Sequence, residues 1–522
     1  MTFWHVFPSP PTGNNRHIEL AGTDLWITGS INNVFVYPSA LNIDKFKETL
    51  SRTLSLWPFI AGRFLVHDSE HYIIEMSWHV FPSPPTGNNR HIELAGTDLW
   101  ITGSINNVFV YPSALNIDKF KETLSRTLSL WPFIAGRFLV LDSEHYIIEM
   151  SDIAIPLSFI ENTDLIKWPL DSNVVVDKNS NQLQPYLDEV QTTKLIGGSR
   201  DEPLFRLKLT HIVQSGEWIM GASWSHILGD ADSFLQFLKT ISHSYQNMEP
   251  PKPIPVFERQ LWSDNEFDES LLPDIKQFLD DDQMKTDCTN NPITYVQLNI
   301  CFSGEQLKTL RKLIDDQHVS TQDVLSAYII LILNTHCTQN NEQLIVRTNT
   351  IINYRNESNP FGSLGLIANA VLMPLSDCFE HPTSLSSIAK TIRHSINQSR
   401  NIEFIKHWVA TADKVMRTII RDNRLPKMST FKDRIVLNSN FRYDWANLVD
   451  FGHTNKCRFY TTWTRALYLR IFRLNPIYDG TRWMGRDQNG AEVAFRIAED
   501  QKKKFIDAWQ KDIAENFINI KL

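Results

Sequence analysis

His226 and Asp230 stand four positions apart in Ser225-His226-Ile227-Leu228-Gly229-Asp230, and their residue types suit proton transfer. A neutral imidazole accepts a proton near pH 7, which is what activation of a hydroxyl or amine nucleophile requires. Taken alone, H-x-x-x-D is a common string, and a satisfied histidine at a strand end is the competing reading. A metal site finds less support, because His226 and Asp230 have no third ligand at a familiar spacing. His211 and His243 have ordinary surface readings.

The elements around the pair decide whether it is held rigidly. Trp218, Met220, Ala222, Trp224 and His226 alternate with Ile219, Gly221, Ser223 and Ser225, the pattern of a strand. Phe234, Leu238 and Ile241 then follow at helical spacing, with Asp232 as the expected N-cap. A histidine between a strand and a helix sits on a scaffold yet can face a cavity.

The chain has 522 residues and a formal net charge of −8. That length exceeds what one core normally serves, and the charge argues against nucleic acid as the main partner. Lys502-Lys503-Lys504 reads as a solvated helix face. Five scattered cysteines without a C-x-x-C pair read as reduced thiols. Met1-Thr2-Phe3-Trp4-His5 does not resemble a secretory signal, and the apolar run ending at Leu333 is too short for a bilayer. A cytoplasmic monomer without a membrane span is therefore expected.

Residues 4–77 recur as residues 78–151, Trp4 matching Trp78 and Ser77 matching Ser151, with His67 against Leu141 the one difference. Near-identity in two copies is not the signature of a solenoid. Residues 1–77 are accordingly read as redundant, with no second slot to fill, and 78–151 as the copy that belongs to the fold. That copy encodes a strand over Leu99–Tyr111, a helix capped by Asn116, and a hairpin of Arg137–Leu141 with His145–Met150. Strands over Leu204–Val213 and Glu217–His226 complete a first lobe, 78–262. An acidic crossover, 263–293, leads to a second lobe, 294–522. This lobe holds strands at Thr294–Phe302, Leu344–Ile352 and Glu492–Ile497, and helices from Ser303, Ser320 and Ala498. Interspersed strands and helices indicate mixed α/β or α+β layers.

Other catalytic templates fail on their own terms. Gly221-Ala222-Ser223-Trp224-Ser225 lacks the second glycine of a nucleophile elbow, and Asp450-Phe451-Gly452 has none of the companion motifs of a kinase. Taken together and in order, several segments resemble the BAHD-type acyl-CoA-dependent acyltransferases. They are Thr97-Asp98-Leu99-Trp100, Phe109-Val110-Tyr111-Pro112 and Trp131-Pro132-Phe133-Ile134-Ala135-Gly136-Arg137. His226 to Asp230, Asn353-Tyr354-Arg355, Gly365 to Val371 and Asp450-Phe451-Gly452 continue the series from about residue 78 to the C-terminus.

The resemblance implies a two-lobed, chloramphenicol-acetyltransferase-like fold with a tunnel between the lobes. It implies His226 as general base, acyl-CoA as co-substrate, and a small-molecule alcohol or amine as acceptor, with no bound cofactor or metal. Asp230 and Arg355 would form a structural pair, and Asp450 and Gly452 would be architectural. Ser439 or Asn440 would support an oxyanion, and Ser320 and Thr321 would line the CoA channel. Two departures from the family pattern stand out: Ala231 replaces a glycine, and His453-Thr454 replaces Trp-Gly after Asp450-Phe451-Gly452. An inactive paralogue that binds acyl-CoA or a metabolite is one alternative. A condensation-domain-like enzyme is another, although Ser225 stands where that family has a second histidine.

Overall fold

The computed structural model describes residue 45 and residues 62–521, apart from 67–71, 87–89, 100–102, 142–144, 197, 277–293, 339–343, 357, 423–432, 463–464 and 479–482. The strand and helix that the first copy encodes between 25 and 57 fall outside these residues, except for Lys45, which is helical.

An eight-stranded sheet forms the first lobe. Its spatial order is Gly62–Val66, Tyr72–Val80, Ile155–Asn162, Phe205–Ile212, Trp218–Ser225, Ser104–Tyr111, Arg458–Thr462, Val175–Val176. Most neighbours are antiparallel, but Ile155–Asn162 runs parallel to Phe205–Ile212 and Arg458–Thr462 parallel to Val175–Val176. The Trp218–Ser225 strand lies inside this sheet and is buried on both faces. Trp218, Met220, Ala222 and Trp224 join the main core, while Ile219 joins a separate cluster with Val108, Trp168 and Tyr460. Helices Ile117–Leu130 and Ala231–Tyr245 cover the main core through Phe120, Leu124, Leu128, Phe234, Leu238 and Ile241, all fully buried. Asn116 caps the first of these helices, its side chain accepting from Lys119 N at 2.9 Å.

The second lobe has a five-stranded sheet in the order Tyr295–Phe302, Ala491–Ala498, Tyr468–Arg473, Arg434–Ser439, Arg347–Thr350. Helices Gly304–Lys312, Thr321–Ile332, Leu385–Gln398 and Glu499–Ala514 enclose its core. Ser303 and Ser320 each close a capping box, with Gln306 and Asp323 respectively. A third cluster, including Tyr354, Leu366, Ala368, Trp408 and Met416, packs beneath helix Ile402–Arg421. The architecture is therefore mixed α/β in two lobes.

Two placements depart from the linear reading. Arg458–Thr462, within the 294–522 segment, pairs antiparallel with Ser104–Tyr111 and so extends the sheet of the first lobe. The end of the first copy also has a place. Gly62–Val66 and Tyr72–Val80 pair with each other and then with Ile155–Asn162, so this strand runs through the copy junction at Ser77. The matching residues of the second copy, Arg137–Val140 and Tyr146–Glu149, instead build a three-stranded sheet with His91–Glu93. One hairpin sequence thus occupies two settings, since strand pairing satisfies the backbone wherever an edge is offered. The strand expected from Leu99 starts later, at Ser104, because Gly96–Leu99 is a short helix.

Candidate active site

His226 follows directly on the Trp218–Ser225 strand, and its backbone N–H donates to Gly103 O at 3.1 Å. The chain then turns. Gly229 N donates back to His226 O at 3.1 Å, and Trp224 Nε1 donates to Gly229 O at 2.9 Å. Gly229 has φ +146°, and a Cβ there would lie 2.7 Å from Ser233 Oγ, so the turn needs glycine. Helix Ala231–Tyr245 begins immediately afterwards.

The N-cap of that helix is Asp230, which corrects the expectation of Asp232. Asp230 is extended (φ −78°, ψ −174°), and its Oδ1 accepts from Ser233 N at 3.0 Å. Asp232 lies one residue inside the helix, where its carboxylate faces the positive end of the dipole. The cap falls on Asp230 because the same carboxylate is held from the other lobe. Arg355 Nη1 donates to Asp230 Oδ2 at 2.8 Å and Nη2 to Oδ1 at 3.1 Å, while Ala370 N donates to Oδ2 at 3.0 Å. Arg355 also donates to the carbonyls of Leu366 and Ala368, each at 2.7 Å. Burial disfavours the Arg355 charge, but Asp230 and Asp232 outweigh it and raise its pKa. The pair joins the His226–Asp230 turn to segment 365–371.

His226 is half-buried at this junction. Its Nδ1 lies 3.3 Å from Asn369 Oδ1, and its carbonyl accepts from Asn369 Nδ2 at 2.7 Å. Burial pushes the imidazole pKa down to about 4, against smaller raising effects from Asn369 and Asp230. The ring is therefore neutral near pH 7. Asn369 in turn leans on Asp98, whose Oδ1 accepts from Asn369 N at 3.0 Å and from Nδ2 at 3.2 Å. Asp98 Oδ2 accepts from Arg259 Nε at 3.1 Å and from Ala95 N at 3.2 Å. Asp98, Asn369 and Arg259 carry no role in the sequence reading. The first two lie within segments that resemble family motifs. Arg259 carries no local signal.

Gly96 brings the short Asp98 helix against the second lobe. A Cβ on Gly96 would sit 2.2 Å from Asp413 O, and Gly96 N donates to Asp413 Oδ1. Gly96→Ala should therefore destabilise the fold by roughly 1–3 kcal/mol, read as a shift in the denaturant midpoint. An unchanged midpoint would show that this approach has slack.

A model of the Transferase family matches residues 73–458, most of the chain. The chain belongs to this family, that of the BAHD acyltransferases. Solved structures agree at the level of fold. Vinorine synthase superposes with a TM-score of 0.57 at 17% identity, covering 82% of this chain and 95% of that one. F. graminearum TRI101 complexed with ethyl coenzyme A gives 0.55 at 12% identity, covering 81% and 98%. The same protein with coenzyme A and T-2 mycotoxin gives 0.56 at 13%, covering 81% and 97%. No curated protein matches the chain.

The remaining residues named from the BAHD motifs are not among the His226 contacts described above. Asp450 Oδ1 accepts from Gln246 Nε2 at 3.2 Å and Gly452 N at 3.0 Å, and Oδ2 accepts from Thr454 Oγ1 at 3.1 Å. Gln246 is the C-cap of the helix that Asp230 begins, so this loop sits a helix length from His226, about 22 Å. Ser439 ends a strand and accepts from Phe441 N at 3.3 Å. Buried Asn440 donates from N to Ile471 O at 2.7 Å and from Nδ2 to Asn438 Oδ1 at 3.2 Å. Ser320 is a helix N-cap whose Oγ accepts from Arg393 Nη2 at 2.8 Å, and Thr321 begins that helix. Burial, then the neighbouring charges of Arg393 and Arg442, lower the Arg400 pKa, and Arg393 itself is paired with Asp323. Among the described residues, no cluster of three or more His, Cys, Asp or Glu is placed to hold a metal ion, and no helix is long and apolar enough to cross a membrane.

Proposed function

We propose that the protein transfers an acyl group from an acyl-CoA to the hydroxyl or amine of a small molecule, with His226 as general base. The observation that carries this reading is the neutral, half-buried His226 at the lobe junction, its Nδ1 beside Asn369 Oδ1. Nε2 then takes the acceptor's proton as its oxygen or nitrogen attacks the thioester carbonyl carbon. The tetrahedral intermediate collapses with cleavage of the C–S bond. The imidazolium returns the proton to the CoA thiolate, so no acyl-enzyme forms. Ser439 or Asn440 supports the oxyanion, and CoA is a co-substrate, not a resident cofactor.

Arg400, which neighbours Arg393 and Arg442, supplies positive charge for the CoA phosphates near Ser320 and Thr321, while Arg393 is paired with Asp323. TRI101 has been solved with coenzyme A on the same fold, which supports the choice of donor. Asp230, Arg355, Asp450 and Gly452 are architectural in this reading. Incubation with a panel of acyl-CoAs and alcohol or amine acceptors should release free thiol only when both substrates are present. Absence of acceptor-dependent release across the panel would overturn the proposal.

The His226 shift also sets a pH dependence. With a folded pKa of about 4, the base stays available through the mildly acidic range, and kcat/KM should fall only as pH drops toward 4. An unperturbed histidine would lose activity near its ordinary value of 6.5. For stability, the unfolded chain binds this proton below 6.5 while the folded chain refuses it until about 4. The contribution is present above the unfolded pKa and is lost as pH falls through that window. An acid limb of kcat/KM centred near 6.5 would contradict the burial argument.

A further inference from the structure

The partners of Asn369 decide which nitrogen of His226 carries the proton. Asn369 Nδ2 faces two oxygens, Asp98 Oδ1 at 3.2 Å and the His226 carbonyl at 2.7 Å. A carboxylate and a carbonyl can only accept, so the amide nitrogen must lie on their side. The amide oxygen is then on the other side, 3.3 Å from His226 Nδ1. An amide oxygen also only accepts, so Nδ1 must carry the hydrogen. In a neutral imidazole this leaves the lone pair on Nε2.

Asp98 anchors that arrangement. It is fully buried and accepts from Asn369 twice, through the backbone N and through Nδ2. Its other oxygen is held by Arg259, whose side chain is 2% exposed. Arg259 Nη2 also donates to Leu228 O at 3.3 Å, inside the His226–Asp230 turn. We infer that Asp98 is a positioning residue, which acts through Asn369 to hold His226 as its Nδ1–H tautomer. The inference rests on the general-base reading of His226 and names the group that prepares the base. Asn at position 98 would offer donors as well as an acceptor. Only the His226 carbonyl then opposes a flip of Asn369, and a flipped amide turns its nitrogen toward Nδ1, which favours the Nε2–H tautomer and removes the lone pair from the acceptor.

The test is magic-angle-spinning NMR of the full chain labelled with ¹⁵N at histidine, with His226 assigned by its loss in His226→Ala. The wild type near pH 7 should show a protonated Nδ1 and an unprotonated Nε2 at His226, and the reverse pattern overturns the inference. Asp98→Asn should populate the Nε2–H form and lower kcat about 10²-fold, with KM for the acyl-CoA within about twofold. A purely structural Asp98 would lower stability but leave the tautomer, and kcat per folded molecule, unchanged. If Asp98→Asn does not fold, Asn369→Ala decides, since retention of the wild-type tautomer there breaks the proposed chain. Full activity in His226→Ala would defeat the general-base reading alone, because the tautomer measurement does not depend on turnover.

Discussion

His226→Ala should lower kcat by about 10²–10⁴-fold, the usual contribution of a positioned general base, and leave the fold intact. Little structure depends on the imidazole itself. The hydrogen bonds that anchor residue 226 to Gly103, Gly229 and Asn369 Nδ2 run through its backbone and survive the substitution. The ring is half-buried, so its removal opens space at the lobe junction without emptying either core. Among the described residues its polar side-chain contact is with Asn369 Oδ1. Circular dichroism and thermal unfolding should therefore match the wild type, while free-thiol release in the presence of acceptor collapses. Equal turnover by the two proteins would remove His226 from the chemistry.

Arg355→Ala should have the opposite signature, a large loss of stability with a smaller effect on the rate per folded molecule. The substitution strips two hydrogen bonds from the Asp230 carboxylate and leaves it 5% exposed without its countercharge. It also removes the donor to Leu366 O and one of the donors to Ala368 O. Breaking one side of a buried ion pair costs about 3–5 kcal/mol, because the remaining charge stays desolvated. Chemical unfolding should register that loss directly. Ala370 N and Ser233 still hold Asp230, so the turn that presents His226 is loosened but not lost. Asp230→Asn should lower activity and stability together, since an amide keeps the cap but weakens the pair. Activity abolished at unchanged stability, in either variant, would place the pair in the chemistry instead.

Much of the local structure was legible before any coordinates. The Trp218–Ser225 strand, the Asn116 cap, the helix starts at Ser303 and Ser320, and the Ala231–Tyr245 helix all announce themselves within a few residues. Period-two alternation and hydroxyl or amide caps are short-range signals, so they can be read locally. The His226–Asp230 spacing and the position of Arg355 were equally visible, and the structure brings Asp230 and Arg355 together. The cap at Asp230, read two residues too late at Asp232, shows the limit. Asp230 and Asp232 are both competent caps by residue type, and the bonds that settle the choice come from Arg355 and Ala370 in the other lobe.

The sequence by itself determined the residue types, the strand and helix that flank His226, and the order of motifs that points to the BAHD family. The tertiary structure alone decided which distant groups meet them. Asp98, Arg259 and Asn369 are scattered along the chain, yet they converge behind one imidazole. Arg458–Thr462 joins the sheet of the first lobe for the same reason, and the hairpin at 62–80 takes a sheet edge that its own pattern does not specify. A residue's periodicity records which face it buries but not which partner covers that face. That choice belongs to packing and to the satisfaction of buried polar groups across the whole chain.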